Sequence, residues 1–225
     1  MWGEEPVNIL KKHFNRKNVK DSWPNTFVAC PAVKDFYHNI YGIPSLYDYH
    51  IKVTDKETTS KVRTQEFFNS NIRVTNQEER IIQFYGKIYF YTDVKSLPIT
   101  VNYPPFLEST IQHANYISGD FDLGKYPRQA QIAMRFINDT DWNIAKGDIL
   151  YYVKFHTKEK IKFIPFAPVP EIVHLFDYGA ERYKNYFLRK NPIPFLQPYY
   201  DAVKRAGIKK LLAKKIKENL TGDYA

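Results

Sequence analysis

The chain has 225 residues, 44% of them hydrophobic and 16% aromatic, a composition that supplies the buried area needed to offset chain entropy and excludes a disordered polypeptide. Its single cysteine, Cys30, excludes an internal disulfide framework, and the opening MWGEEPVNILKKHF has no signal-peptide apolar run, so the expectation is a soluble protein of a reducing compartment, not secreted. No stretch reaches the roughly 18 continuous apolar residues of a membrane helix, and the formal charge of +9 favours a polyanionic partner wherever that excess is concentrated.

Residues 1–25 mix charge with isolated apolar positions and read as an N-terminal arm. The next stretch, TFVACPAVKDFYHNIYGIPSLYDY (26–49), is punctuated by Pro31, Gly42 and Pro44 and predicts a short helix at Val33 to Ile40. Strand signals follow in series: YDYHIKVT (47–54), TQEFFNSNIRVT (64–75), RIIQFYGKIYFYT (80–92) and LPITVNY (97–103). Later come AQIAMRFI (130–137), WNIAKGDILYYVKFHT (142–157) and KIKFIPF (160–166). Tyr, Ile, Val, Phe and Thr dominate them with period-two alternation. Turn chemistry falls at Asp55 to Thr59, Asn76 to Glu79, Gly86-Lys87, Asn138 to Asp141 and Gly147-Asp148. Strands at this spacing without interleaved helical patterns predict a mainly β fold, an antiparallel, jelly-roll-like β-sandwich over 26–166. A flatter antiparallel sheet with helices on one face is the alternative.

Residues 167–225 read as a proline-rich connector and a basic helical C-terminal extension. Within it, a helix is expected from about Gly179 to Arg189, and NPIPFLQPYY reads as a rigid extended link. From about Tyr200 to Leu220 a basic helix is expected, with Val203, Ala206, Leu211, Ala213 and Leu220 as its apolar stripe. Gly207 inside it costs up to about 1 kcal/mol relative to Ala.

Chemistry has little local support. The histidines His13, His38, His50, His113, His156 and His174 include no i, i+4 pair, so no metal motif and no cofactor follow from the sequence. A site assembled from His113, Asp120 and His156 would need an added carboxylate to resemble a facial triad. No G-x-S-x-G elbow, Walker A loop, H-E-x-x-H pair or G-x-G-x-x-G turn occurs. Cys30 reads as a small buried hydrophobe rather than a nucleophile, since no activating partner is identifiable.

The segment SGDFDLGKYPR (118–128) concentrates two glycines, two carboxylates, a tyrosine and an arginine. On an extended chain Asp120 and Asp122 share one face. Together with Arg128 and His156 they are the candidate ligand-binding residues. In the competing reading, Asp and Gly satisfy turn geometry while Phe121 and Tyr126 plug the core.

Two resemblances bear on the chain. The succession AQIAMRFINDTDWNIAKGDILYYVKF resembles the late segment of the dUTPase and dCTP deaminase family, over about Gly119 to Phe155. It implies that Asp122 stands near that family's catalytic or sugar-contacting aspartate, and Lys146-Gly147-Asp148 at its turn. The family's serine-containing phosphate motif and glycine-rich C-terminal arm have no counterpart. Across roughly Phe27 to Phe166, the segments CPAVKDFY, IYFYT, ITVNYPPF, GDFDLGKY and GDILYYVKFHTKEKI resemble an uncharacterised protein family of tailed phages, especially those of marine bacteria. That resemblance implies viral origin.

Two surfaces complete the expectation. Lys204, Arg205, Lys209, Lys210, Lys214, Lys215 and Lys217 form a basic tail able to contact nucleic acid or an anionic surface. Phe195, Leu196, Tyr199 and Tyr200 are apolar enough to require a partner. The sequence thus leans away from an enzyme, towards a viral structural or assembly protein of the host cytoplasm or virion. Its expected partners are copies of itself or other viral proteins. A nucleotide-binding or nucleotide-hydrolysing enzyme and a nucleic-acid binder are the alternatives.

Overall fold

The computed structural model describes residues 6–8, 30–61, 63–102, 114–177, 204 and 207–221. Among them the chain is mainly β, an antiparallel β-sandwich with a C-terminal helix. The strands are β1 (Val7–Asn8), β2 (Ile40–Pro44), β3 (Tyr49–Val53), β4 (Thr58–Ser60), β5 (Ile72–Asn76) and β6 (Ile81–Phe90). There follow β7 (Pro98–Asn102), β8 (Ala114–Ile117), β9 (Gly119–Asp122), β10 (Arg128–Phe136), β11 (Thr140–Ile144) and β12 (Ile149–Phe155). The helices are α1 (Pro31–Tyr37), α2 (Gln65–Asn71), α3 (170–177) and α4 (Ile208–Glu218).

Every strand pairing is antiparallel. One sheet runs β1-β2-β12-β7-β9, a second β5-β6-β10-β8 and a third β11-β3-β4. Period-two alternation explains how they close on one core. In β10 the side chains of Ala130, Ile132, Met134 and Phe136 are buried, and they meet Ile99 and Val101 of β7 and Tyr151, Val153 and Phe155 of β12. The fully buried Tyr151 hydroxyl donates to the Ala130 carbonyl at 3.0 Å, and burial pushes that phenol's pKa up. The third sheet adds Ile51, Val53 and Trp142, whose ring meets Phe84 of β6 edge-on at 5.4 Å. The links β2–β3 and β11–β12 leave the first sheet at one corner, where the Ser45 N–H donates to the Asp148 carbonyl and the Gly147 N–H to the Ser45 carbonyl.

β12 is buried on both faces. A bulge between Ile149 and Tyr151 brings Ile149 round to the outer face with Tyr152. There Ile40, Ile149 and Tyr152 pack beneath Tyr37 of α1 and Val7 of β1. Two residues of the expected N-terminal arm thus extend the first sheet.

Several local expectations are corrected. The strand expected over 64–75 is α2 followed by β5: the Thr64 hydroxyl accepts from the Phe67 N–H at 3.2 Å, an N-cap that starts a helix burying Phe68. Gly86-Lys87 is a bulge inside a continuous β6, with Lys87 at φ 48 and Tyr85 to Tyr89 facing only Gln129 to Gln131. The strand signal at 142–157 divides at Gly147-Asp148 into β11 and β12, which go to different sheets: β11 pairs β3 while β12 pairs β2 and β7. The expected strand at 160–166 is irregular, with Ile161 and Phe163 lying against the core and Phe166 bridging Leu220. Cys30 is exposed, and its carbonyl accepts from the Val33 and Lys34 N–H groups at the start of α1.

The connector after Phe166 contains α3, with Pro170 at its first position, where a missing N–H costs nothing. Ile172 and Phe176 of α3 pack on Ile208, Leu212 and Ile216 of α4, and Tyr89 of β6 and Tyr91 just beyond it border the cluster. The apolar stripe of α4 is therefore 208, 212 and 216, and Leu211 is exposed. Gly207 is not interior to the helix: at φ 67 it is the residue from which α4 starts. The helix expected at 179–189 and the cluster Phe195, Leu196, Tyr199 and Tyr200 lie outside the described residues, as do His113 and Arg205.

Candidate functional site

The segment 118–128 supplies β9, a tight turn at 123–125 and the start of β10. β9 pairs with β7 so that Asp120 stands opposite Thr100 and Asp122 opposite Pro98. Both carboxylates occupy one face, as an i, i+2 spacing requires. The opposite face of β7 carries the buried Ile99 and Val101, so Thr100 points away from the core.

Continuing across the sheet, Thr100 faces Lys154 of β12, and Lys154 faces Ile40 of β2. The Lys154 ammonium lies 4.5 Å from the centroid of the Phe36 ring on α1. His156, just beyond β12, is held by its N–H donating to the Pro98 carbonyl at 2.9 Å, and its Nε2 lies 2.6 Å from Thr100 Oγ1. Thr100 Oγ1 also bonds Asp120 Oδ1. A hydroxyl has one hydrogen, and an ionised carboxylate only accepts. With Asp120 ionised, Thr100 therefore donates to Asp120 and accepts from His156 Nε2–H. The hydroxyl stands in the middle of this chain. In an acyl-transfer triad the imidazole stands there, taking the hydroxyl's proton while a carboxylate holds its other nitrogen.

Asp122 has different surroundings. Its carboxylate accepts from the Ser96 hydroxyl at 2.6 Å, the Leu97 N–H at 2.8 Å and the Gly124 N–H at 3.0 Å, and pairs with Lys125 at 3.1 Å. Burial alone would raise its pKa. The Ser96, Leu97 and Lys125 contacts outweigh that and hold it at about 2. Gly124 packs directly on the backbone of the preceding loop: a Cβ there would sit 2.7 Å from Ser96 N, Ser96 Cα and Val94 O. Lys209 of α4 completes the junction, donating to the carbonyls of Val94 and Gly124. Desolvation lowers the pKa of that ammonium.

Of the four residues singled out by sequence, Asp120 and His156 meet through Thr100, and Asp122 is two residues further along β9, at the start of a closed turn. Arg128 begins β10 in the second sheet, paired with Phe90. Thr100, Ser96 and Lys154 were not anticipated. Their signal is register, because each lies on a strand or loop whose neighbour is fixed only by pairing. The expected tail contacts also divide. Lys204, Lys210, Lys214 and Lys217 are exposed, Lys209 is held by two carbonyls, and Lys215 lies 3.4 Å from Glu218. Among the described residues no helix is long and apolar enough to cross a membrane, and no group of three His, Cys, Asp or Glu side chains could hold a metal ion. Comparison with protein-family models, curated proteins and solved structures finds no match.

Proposed function

We propose that this chain is a non-enzymatic structural or assembly protein of a tailed phage. Its β-sandwich body, jelly-roll-like in plan, oligomerises through protein–protein contacts in the host cytoplasm or the virion. The observation that supports this reading is β8. It is the outermost described strand of the second sheet, and its last residue, Ile117, is 49% exposed. An outer strand with an apolar side chain facing water is a template for another chain's strand. β9, outermost in the first sheet, carries Asp120 and Asp122, charges that oppose such pairing. β8 carries no charge and, of the described outermost strands, it is the one with a large exposed apolar side chain, so it is the edge on which a second copy would dock. Light scattering coupled to size exclusion tests the idea. The full-length protein at micromolar concentration is expected to run as a dimer or larger, and Ile117→Lys to shift it towards monomer. A compact monomer for the unaltered chain would overturn the proposal.

A second reading, nucleotide binding or hydrolysis, is favoured by one observation, the convergence of Asp120 and His156 on Thr100. The central hydroxyl weighs against a nucleophilic triad, but the row Lys154, Thr100, Asp120 offers a cation, a hydroxyl and a carboxylate to a polar ligand. A ligand that binds only the native state raises apparent stability. Thermal shift with nucleotides and Mg²⁺ is therefore the test, and an unmoved midpoint across all of them removes the reading.

A further inference from the structure

The five lysines of α4 are not equivalent. Burial of Ile208, Leu212 and Ile216 against α3 and β6 fixes the rotation of the helix. Lys209 is turned inward to the Val94 and Gly124 carbonyls, and Lys215 pairs with Glu218. Lys210, Lys214 and Lys217 stand at i, i+4 and i+7 on the face opposite the buried stripe, all exposed. Among the described residues none of the three has an ion-pair partner. Lys210 and Lys217 are seven residues apart, roughly 10 Å along the axis.

Local helix energetics do not account for this arrangement. Lysines at i, i+4 repel one another by about 0.2–0.5 kcal/mol. Lys210 moreover lies in the first turn, where the helix dipole disfavours a cation and where no acidic residue compensates. The dipole favours Lys217, which lies in the last turn, but the like-charge spacings and the first-turn position of Lys210 stay uncompensated among the described residues, an arrangement suited to a counter-charge supplied by another molecule.

We infer that Lys210, Lys214 and Lys217 form a rail for the phosphate backbone of duplex nucleic acid, bound without sequence preference. Two observations choose this occupant. A helix that lies in a membrane interface inserts its apolar face, whereas the apolar face of α4 is covered by α3, Tyr89 and Tyr91, leaving Leu211 alone at the margin. α4 also carries no aromatic residue, so it lacks the stacking element that single-strand binders use. What remains is attraction to closely spaced phosphates. The inference is independent of the assembly reading above, since the rail and β8 are separate elements.

The test uses the full chain and a fluorescent random-sequence duplex, with anisotropy measured as salt is varied. Three phosphate contacts correspond to a slope of log affinity against log salt of about −2.7. The triple change Lys210→Gln, Lys214→Gln, Lys217→Gln should reduce the magnitude of the slope by about that amount and weaken binding at low salt by roughly tenfold or more. The same number of exposed lysines removed from the sandwich, at Lys56, Lys158 and Lys160, should leave affinity within about twofold, on the view that isolated surface charges contribute little. Circular dichroism and the thermal midpoint verify that both triples fold. Equal loss from the two triples would overturn the rail, as would duplex binding unchanged by the α4 triple. Binding of the full chain to vesicles rich in anionic lipid, with none to duplex, would overturn it in favour of a membrane surface.

Discussion

Asp120 and Asp122 lie two residues apart on one short strand, on one face of one sheet, and have opposite environments. Asp120 is exposed and touches a hydroxyl that also reaches a histidine. Asp122 is 13% exposed at its side chain and accepts from Ser96, Leu97 and Gly124. The spacing of the two residues determines which way they point. What each does is determined by the neighbouring segment: the flat strand β7 beside Asp120, and the folded-over loop 94–97 beside Asp122. Within a carboxylate pair that reads as one motif, one member holds the chain together and the other is available to a partner.

The junction around Asp122 is where breaking the comparison costs most. In Gly124→Ala the new methyl meets backbone atoms 2.7 Å away, which cannot rotate aside as a side chain would. The substitution should destabilise by about 3 kcal/mol, at the upper end of overpacking effects, and lower Tm by roughly 6–12 °C. A Tm within a degree of the parent would mean that the loop does not lie on Gly124.

Asp122→Asn is expected to cost somewhat less, about 1.5–3 kcal/mol, because an amide satisfies fewer of the donors that converge on the carboxylate. The effect has a defined pH dependence. The folded-state pKa is depressed to about 2, below the roughly 3.9 of an unfolded aspartate. The stabilisation is therefore fully present above about pH 4 and lost as pH falls through about 2. In urea titrations the gap between parent and Asp122→Asn should be constant from pH 5 to 7 and shrink steadily below pH 4. A gap of equal size at pH 3 and pH 7 would show that the carboxylate's charge is not what holds the junction.

The sandwich was legible because alternation is a local signal. Ala130, Ile132, Met134 and Phe136 announce their shared face, and the structure buries them together. What escaped depends on choices that a few residues make against composition. TQEFFNSN has the aromatic content of a strand, but a threonine cap and a first-turn glutamate make it α2. In the tail, the helix starts at Gly207 instead of running through it, and the i, i+4, i+8 series 208, 212 and 216, which the expected stripe left out, is the face it buries. The division of labour between Asp120 and Asp122 was beyond sequence reading for another reason. Ser96 and Leu97, which engage Asp122, lie about 25 residues upstream, and only the pairing of β7 with β9 brings them there.

The smallest effect sharpens the comparison from the other side. Thr100→Val removes the hydroxyl between Asp120 and His156 while keeping a β-branched side chain suited to the strand. Both former partners lie in water, which replaces the lost bonds, so stability should change by less than about 0.5 kcal/mol. Asp120→Asn should be equally mild, because an amide oxygen still accepts from Thr100. Urea unfolding of both variants beside Asp122→Asn makes the contrast direct. A loss above about 1.5 kcal/mol in either exposed-row variant would place that row among the contacts that hold the sheet, and the distinction between the two carboxylates would collapse.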